Sequence, residues 1–396
     1  MAEGSSRPFW LLALMIGSAT IGMHIFVPAL PMITKEFAIK PAQAQLTISL
    51  YMFVIAGGQI FYGPLSDRFG RRPVLLGALT IFGLAGLAAA AAQSFEALLT
   101  ARLFQAAGGC AGLVLGRAVV HDTAHGGDAA RTIAAVNAVL LISPTLAPII
   151  GVWMVNTLGW RSIPLLLAIL GVATIAGVAF RLTETAASRA EPARAIWLKY
   201  RALLVSHPFL LQVLGGSLTT TTMFVLLATS PFVVLQYLHR PIEEAAAFYA
   251  VFVIGLLAGN VSASFVARCF GLHLVFIGAS CLGTIGAGLF LTAVLTGTLT
   301  TPVFLGAGFL YTLMSGTMAP LTLTHTVSLS PHLRGSATGI FGAAQFTVGA
   351  IAVSIASASS DIARMAAVVL LACAGSGLAL YATLYLRRRH RRIKPA

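Results

Sequence analysis

Three groups of residues in this chain are of the kind that does chemistry, and each is set among apolar residues. The first is His24, about fifteen residues into a long apolar run and so roughly 22 Å along it at the helical rise. Imidazole titrates near neutral pH, so a histidine there can take up a proton on one side of a barrier and release it on the other. Burial disfavours its charged form. The same position also fits a plain buried histidine held by a hydrogen bond. The second group is Arg102 with Gln105. A charge inside an apolar span is costly unless it pairs or faces water, which makes Arg102 a functional candidate. It also stands a few residues past Glu96, from where a long side chain can reach the membrane surface. The third group is the turn G-Q-I-F-Y-G-P-L-S-D-R-F-G-R-R-P, running from Gly58 to Pro73. Here Gly58, Gly63 and Gly70 accompany Asp67, Arg68, Arg71 and Arg72. Glycines let helix ends approach closely, and Asp67 is an acceptor suited to the positive N-terminal end of a neighbouring helix. A tight turn with topology-setting charge accounts equally for Arg68 and Arg72, but less well for the acid.

What is missing narrows the chemistry further. The eleven acids are Glu3, Glu36, Asp67, Glu96, Asp122, Asp128, Glu184, Glu191, Glu243, Glu244 and Asp361, and all fall in loops or at the ends of apolar runs. Proton coupling through a buried carboxylate is therefore unavailable, and His24 is the best remaining titratable group. His325, near the end of the tenth run, reads as interfacial. The four cysteines, Cys110, Cys269, Cys281 and Cys373, lie in apolar runs without C-x-x-C spacing and read as packing residues, with no disulfide framework or metal site implied. The chain carries no H-E-x-x-H and no G-x-x-x-x-G-K-[ST], so a membrane metalloprotease and a direct ATP drive are both disfavoured. No cofactor is expected.

The elements that must hold these residues are membrane helices. Hydrophobic residues make up 58% of the chain and charged residues 9%, with a mean hydropathy of +0.91, whereas soluble domains carry about a quarter charged residues. Apolar runs fall at 9–30, 46–66, 73–94, 97–119, 133–156, 162–180, 208–236, 245–267, 272–295, 302–325, 337–357 and 363–386. Each approaches the roughly 20 residues that cross a bilayer as a helix. The first run is long and leads straight into further spans, unlike a cleaved secretory signal. The excess of 25 basic over 11 acidic residues is scattered over short loops, which argues against nucleic-acid binding. Placed with the N-terminus in the cytoplasm, that side carries 19 lysines and arginines against 5 on the other, so both termini are expected there.

The longest polar interval lies at 183–207 and divides an N-terminal half, 1–182, from a C-terminal half, 208–386, with a basic tail at 387–396 that suits anionic headgroups. A shift of 201 positions sets Gly58–Ala78 against Gly259–Ala279 with six identities in 21, among them Gly70 with Gly271. The match is weak alone, but it falls where a parallel repeat of two six-helix halves requires it.

The turn, read as G-x-x-x-G-x-x-x-D-R-x-G-R-R-P between the second and third runs, resembles the signature loop of the major facilitator superfamily. Arg102-x-x-Gln105-x-x-Gly108 resembles that family's second motif. Ser143-Pro144 with Ala147-Pro148-Ile149-Ile150-Gly151 looks like a variant of the proline and glycine motif of its drug exporters, with Ser143 where glycine is usual. Proline removes a helical hydrogen bond and kinks the rod, whether for transport or for packing alone. The run Gly22-Met-His24-Ile-Phe-Val-Pro28-Ala-Leu-Pro31 resembles the bicyclomycin and chloramphenicol resistance branch of drug/proton antiporters. So do Gly116-Arg117 with Asp122, Gly159-Trp160-Arg161, Ser230-Pro231-Phe232 and Arg334-Gly335-Ser336-Ala337 with Gln345. An aspartate usually stands four residues before the first proline of P-A-L-P, and here that position is His24.

The resemblance implies an all-α integral membrane protein of about twelve helices in two pseudo-symmetric six-helix halves, working by alternating access about a midplane site. The expected activity is efflux of small amphipathic compounds in exchange for protons, by a monomer in a bacterial inner membrane. The departure at His24 keeps open an uncoupled or differently coupled facilitator, and a transport-dead sensor on the same scaffold is a further alternative. With no buried acid as counter-ion, neutral, zwitterionic or anionic substrates are favoured over cations. In the family, helices 1, 4, 7 and 10 line the cavity, which brings in His24, Arg102, Thr219 to Thr222 (Thr220 among them), Phe224, Tyr311, Met314 and Met318. Aromatic and methionine side chains suit an adaptable pocket, although at helical spacing they also suit a core. The resemblance also places Asp67 opposite the start of helix 11, near Arg334, and gives the turn's arginines a partner acid in Asp122.

Overall fold

The computed structural model describes residues 9–123, 143–144, 146–185, 192–220, 222–241 and 244–393. Among the described residues eleven helices are long and apolar enough to cross a membrane. They are α1 (Trp10–Glu36), α2 (Pro41–Phe69), α3 (Arg71–Ala90), α4 (Phe95–Val120), α6 (Ser162–Arg181), α7 (His207–Gln236), α8 (Ala245–Phe270), α9 (Leu272–Leu295), α10 (Thr301–Ser328), α11 (Pro331–Ser357) and α12 (Ile362–Leu386). A shorter apolar helix, α5 (Leu146–Leu158), stands in the fifth run, whose beginning lies outside the described residues. The protein is thus all-α, and among the described residues eleven of its twelve apolar runs hold a span-length helix and the fifth holds the shorter α5.

The chain divides into two compact units, Met1–Trp197 and Leu198–Ala396. In the first, α4 packs on α1, α2 and α3, and α3 packs on α6. In the second, α10 packs on α7, α8 and α9, and α9 packs on α12. Adding six to each helix number converts one set of pairs into the other, so the internal repeat is a repeat of packing. Its sharpest trace is a single residue. Gly70, between α2 and α3, has φ +91° and ψ 147°, and Gly271, between α8 and α9, has φ +78° and ψ 148°. This region of backbone space is essentially confined to glycine. Each glycine closes one long helix and opens the next without a loop, although only Arg268 remains of the charge around the second copy.

Two local features matter for the site. The helix of α1 is regular only from Phe9 to His24 and resumes at Leu30, after a 3-10 turn at Val27–Ala29. Pro28 has no N–H to give the His24 carbonyl and Pro31 none to give Val27, so the ladder fails here. The interval 183–207, read from sequence as a polar loop, contains a helix, Ala193–Val205, that begins right after Pro192. Its sequence has no glycine and no internal proline, and it is rich in alanine, leucine and basic residues that favour helix.

Candidate functional site

Arg102 does not reach the membrane surface. It is completely buried on α4, and its partners come from three helices. Nη1 donates to Gln105 Oε1 at 2.7 Å and Nη2 donates to the Gly22 carbonyl at 3.0 Å. The guanidinium lies between two aromatic rings, 4.2 Å from the centroid of Phe26 on α1 and 4.3 Å from that of Tyr51 on α2. A fully buried cation between two π faces is stabilised by about 2 kcal/mol or more per face. Among the described residues no carboxylate pairs with it. Arg102 and Gln105, three residues apart on one helix, are therefore in direct contact, while the sequence does not single out Phe26 and Tyr51.

His24 stands two residues beyond the carbonyl that Arg102 holds. It is buried at 2% exposure, and Nδ1 lies 2.7 Å from the Thr20 carbonyl. A carbonyl oxygen only accepts, so Nδ1 carries the ring proton and any second proton must load at Nε2. Close packing fixes the backbone on both sides of this position. A Cβ on Gly22 would lie 2.7 Å from the Tyr51 hydroxyl, and one on Gly151 of α5 would strike the Ile25 carbonyl. Gly151 thus serves the approach of α5 to the break in α1. Pro144 and Pro148 are both buried in helical backbone. The kink assigned to them cannot be followed, because residues 124–142 and 145 lie outside the described residues.

The far side of Phe26 meets Trp160 edge-on at 6.4 Å. Trp160 Nε1 and Arg161 Nη1 both donate to the carboxylate of Glu36, and Arg161 Nη2 donates to the Ala92 carbonyl at 2.9 Å. The broken part of α1 is therefore held at its far end by the α5–α6 turn, and Phe26 links this cluster to Arg102. Glu36 looked like a plain loop acid in the sequence.

The signature turn is organised by Arg71. Its Nε donates to Asp122 Oδ2 at 2.6 Å, its Nη1 to Ser66 Oγ at 2.9 Å, and its Nη2 lies 3.4 Å from Asp67 Oδ1. The sequence missed a further acid here. Glu184, just past α6, accepts from the backbone N–H of Arg71 at 2.9 Å and of Arg72 at 3.1 Å. Those are unsatisfied donors of the first turn of α3, where the helix dipole also favours a negative charge. Arg72 Nη2 donates to the Ala179 carbonyl at 2.7 Å, and Arg68 lies over the Phe69 ring at 5.3 Å. The two glycines of α2 differ. A Cβ on Gly58 would come within 2.5 Å of Cys110 Sγ, whereas one on Gly63 would meet nothing within 4 Å. Close approach explains Gly58 and does not explain Gly63.

In the C-terminal unit, Thr220 is the centre of a polar cluster. Gln345 Nε2 of α11 donates to its hydroxyl at 2.9 Å and Ser315 Oγ of α10 donates to its carbonyl at 2.9 Å. Phe224 stacks on Phe346, with centroids 5.7 Å apart. Residue 221, within the expected Thr219 to Thr222 stretch, lies outside the described residues. Tyr311 and Met314 face inward within their own unit. The Tyr311 hydroxyl points to the Leu370 carbonyl of α12 at 3.5 Å, and Met314 fills the space left by Gly283 of α9. Both read as packing of α9, α10 and α12 in this structure. Met318 is likewise buried.

The molecule thus combines a buried cation that no carboxylate pairs with among the described residues, a broken first helix, a charged cluster at the α2–α3 turn and a six-helix repeat. A family model described as Major Facilitator Superfamily matches residues 12–354. The chain belongs to the major facilitator superfamily. It is a transporter and not an enzyme, a multi-pass membrane protein with bacterial relatives. A bicyclomycin resistance protein homolog of Haemophilus influenzae is 24% identical over 86% of this chain and 87% of its own length. A chloramphenicol resistance protein of Pseudomonas aeruginosa is 36% identical over 43% of this chain, a match that spans 39% of that protein. The multidrug resistance protein D of Escherichia coli is 30% identical over 52% of this chain and 53% of its own. Among solved structures, a mutant form of the nucleoside transporter NupG superposes with a TM-score of 0.74 at 14% identity, covering 96% of this chain and 98% of that one. The D-xylose-proton symporter gives 0.72 at 16% identity, covering 93% and 96%. At such identities the likeness is one of fold.

Proposed function

We propose that this transporter exports small amphipathic compounds, with neutral, zwitterionic or anionic ones preferred, in exchange for protons and by alternating access. The export reading rests on relatives named for resistance to bicyclomycin, chloramphenicol and multiple drugs. The substrate preference rests on one observation: Arg102 is fully buried with no carboxylate beside it among the described residues. A cationic drug entering such a site adds like charge in a low dielectric, whereas a carbonyl, hydroxyl or carboxylate supplies an acceptor. Coupling is assigned to His24. A substrate that donates a hydrogen bond to Nε2 uses the lone pair that a second proton needs, so substrate and proton exclude each other, which antiport requires. Thr220, Gln345 and the Phe224–Phe346 stack are the contacts proposed for the C-terminal half. The Asp67, Arg71, Asp122 and Glu184 cluster is proposed as the conformational latch. The bacterial inner membrane, cytoplasmic termini and a monomeric state complete the reading, the termini from the distribution of basic residues.

The test is substrate-induced proton release from everted vesicles energised to an acid interior, across a panel that includes chloramphenicol. Wild type dissipates the gradient with particular compounds and His24→Asn does not. Equal dissipation by both proteins removes His24 from the mechanism. Movement of labelled substrate without any proton flux establishes instead the uncoupled facilitator that the missing aspartate of α1 also fits.

A further inference from the structure

The helix Ala193–Val205 presents two different faces. Tyr200 and Leu203 turn towards the C-terminal half, where Leu203 is buried with Phe209, Val213, Ala337, Ile340 and Phe341. At 100° per residue a second stripe collects Arg194, Trp197, Arg201 and Leu204, flanked by Leu198 and Val205. Trp197 is 61% exposed, Leu198 51%, Leu204 46% and Val205 68%. Four large apolar side chains on one side of a thirteen-residue helix need a cover.

The position of the helix says what that cover is. Only Ser206 separates it from α7, and the joint is stiff: the Ser206 amide donates to the Leu203 carbonyl at 3.1 Å, and its carbonyl accepts from Leu210 at 2.9 Å. The helix therefore stays at the level where α7 enters the hydrocarbon. Tryptophan and leucine beside arginine are the composition of a helix lying in the membrane interface. The charge says which headgroup. Residues 192–212 contain no acid, and Arg194 and Arg201 make no ion pair among the described residues. Guanidinium groups pair bidentately with phosphate, and each basic residue near an anionic surface strengthens attachment about five-fold.

We infer that Ala193–Val205 is an interfacial anchor for anionic phospholipid, with Arg194 and Arg201 on the headgroups and Trp197, Leu198, Leu204 and Val205 sunk at the headgroup–acyl boundary. Because Leu203 roots the helix among residues of α7 and α11, occupancy by such lipid bears directly on the C-terminal half. The inference does not depend on what the protein transports.

The test uses the full chain in lipid nanodiscs. Tryptophan emission is quenched with brominated phosphatidylglycerol or brominated phosphatidylcholine at equal mole fraction, and the Trp197 component is isolated by subtracting Trp197→Phe. The expected result is stronger quenching of that component by the anionic lipid, with the difference reduced on the order of 25-fold in lipid preference by joint Arg194→Gln and Arg201→Gln. These two side chains are exposed, so the variant retains its fold. Equal quenching by the two lipids, survival of the difference in the double variant, or quenching of Trp197 only by aqueous acrylamide each overturns the proposal.

Discussion

Arg102→Lys separates the charge of the buried cation from its shape. Arginine uses a flat fork to reach Gln105 Oε1 and the Gly22 carbonyl together, while its faces lie 4.2 and 4.3 Å from the ring centroids of Phe26 and Tyr51. An ammonium keeps the charge but has neither the fork nor the two faces. It can satisfy one acceptor and approach one ring. The losses are one hydrogen bond to a charged group, about 1.5–3 kcal/mol, and one desolvated cation–π contact, about 2 kcal/mol. Lysine can shed its proton when buried, which offsets part of this. A net loss of about 3 kcal/mol in the conformation that makes the clamp is reasonable, and it changes a two-state population by roughly 150-fold. Arg102→Lys should therefore lose most substrate-driven proton movement in everted vesicles, as should Arg102→Gln, and unfold at a lower temperature in detergent. If Arg102→Lys transports within a factor of two of wild type while Arg102→Gln is inactive, charge alone suffices and the clamp argument is wrong.

The remaining predictions concern packing and caps. Gly58→Ala drives a methyl towards Cys110 and should cost about 1–3 kcal/mol by thermal unfolding, partly recovered by Cys110→Ala; Gly63→Ala, with open space, should change stability by about 0.5 kcal/mol or less. Glu184→Ala removes the acceptor of two α3 amides, so hydrogen exchange at Arg71 and Arg72 should accelerate with a cost of about 1–2 kcal/mol; unchanged protection there would refute the cap. Burial and the bond to Asp361 push the Tyr237 hydroxyl up to about 12 from its ordinary 10.0. The folded state favours the protonated phenol, so this stabilisation is full below pH 10.0 and is lost as pH rises through about 12. Tyr237→Phe should unfold at lower temperature than wild type at neutral pH and converge with it near pH 12; a difference independent of pH would show that Tyr237 acts by packing alone.

How much of this was legible in the sequence depends on what each residue contrasts with. Apolar runs stand out against charged loops, so the helices were readable, and the repeat showed as six identities, of which Gly70 with Gly271 has a backbone reason in their shared positive φ. Arg71 with Asp122 came through resemblance. Glu184 did not, because its partners are backbone amides 113 and 112 residues away and an amide has no residue type to notice. The helix Ala193–Val205 was hidden by the polarity of the interval around it. Tyr311 and Met314 were placed by helix number, which says nothing about the face of a helix on which a residue falls.

That last gap has a physical origin. In water, apolar side chains mark the face of a helix that is buried, but lipid is as apolar as a protein core and the mark disappears. On α4 it reverses: Phe104 is 57% exposed while Arg102 and Gln105, on either side of it, are at 0%. Phe61 on α2 is 72% exposed and Phe26 on α1 is at 0%, with nothing in hydropathy to separate them. The inward faces are marked instead by residues that hydrocarbon rejects and by glycines that let backbones meet. Arg102 and Gln105 mark one side of α4, and Gly109, whose Cβ would lie 3.1 Å from Ala19, marks the side against α1. The polar residues and glycines of a span therefore carry both its orientation and its chemistry, and here they converge on the break in α1 where His24 sits.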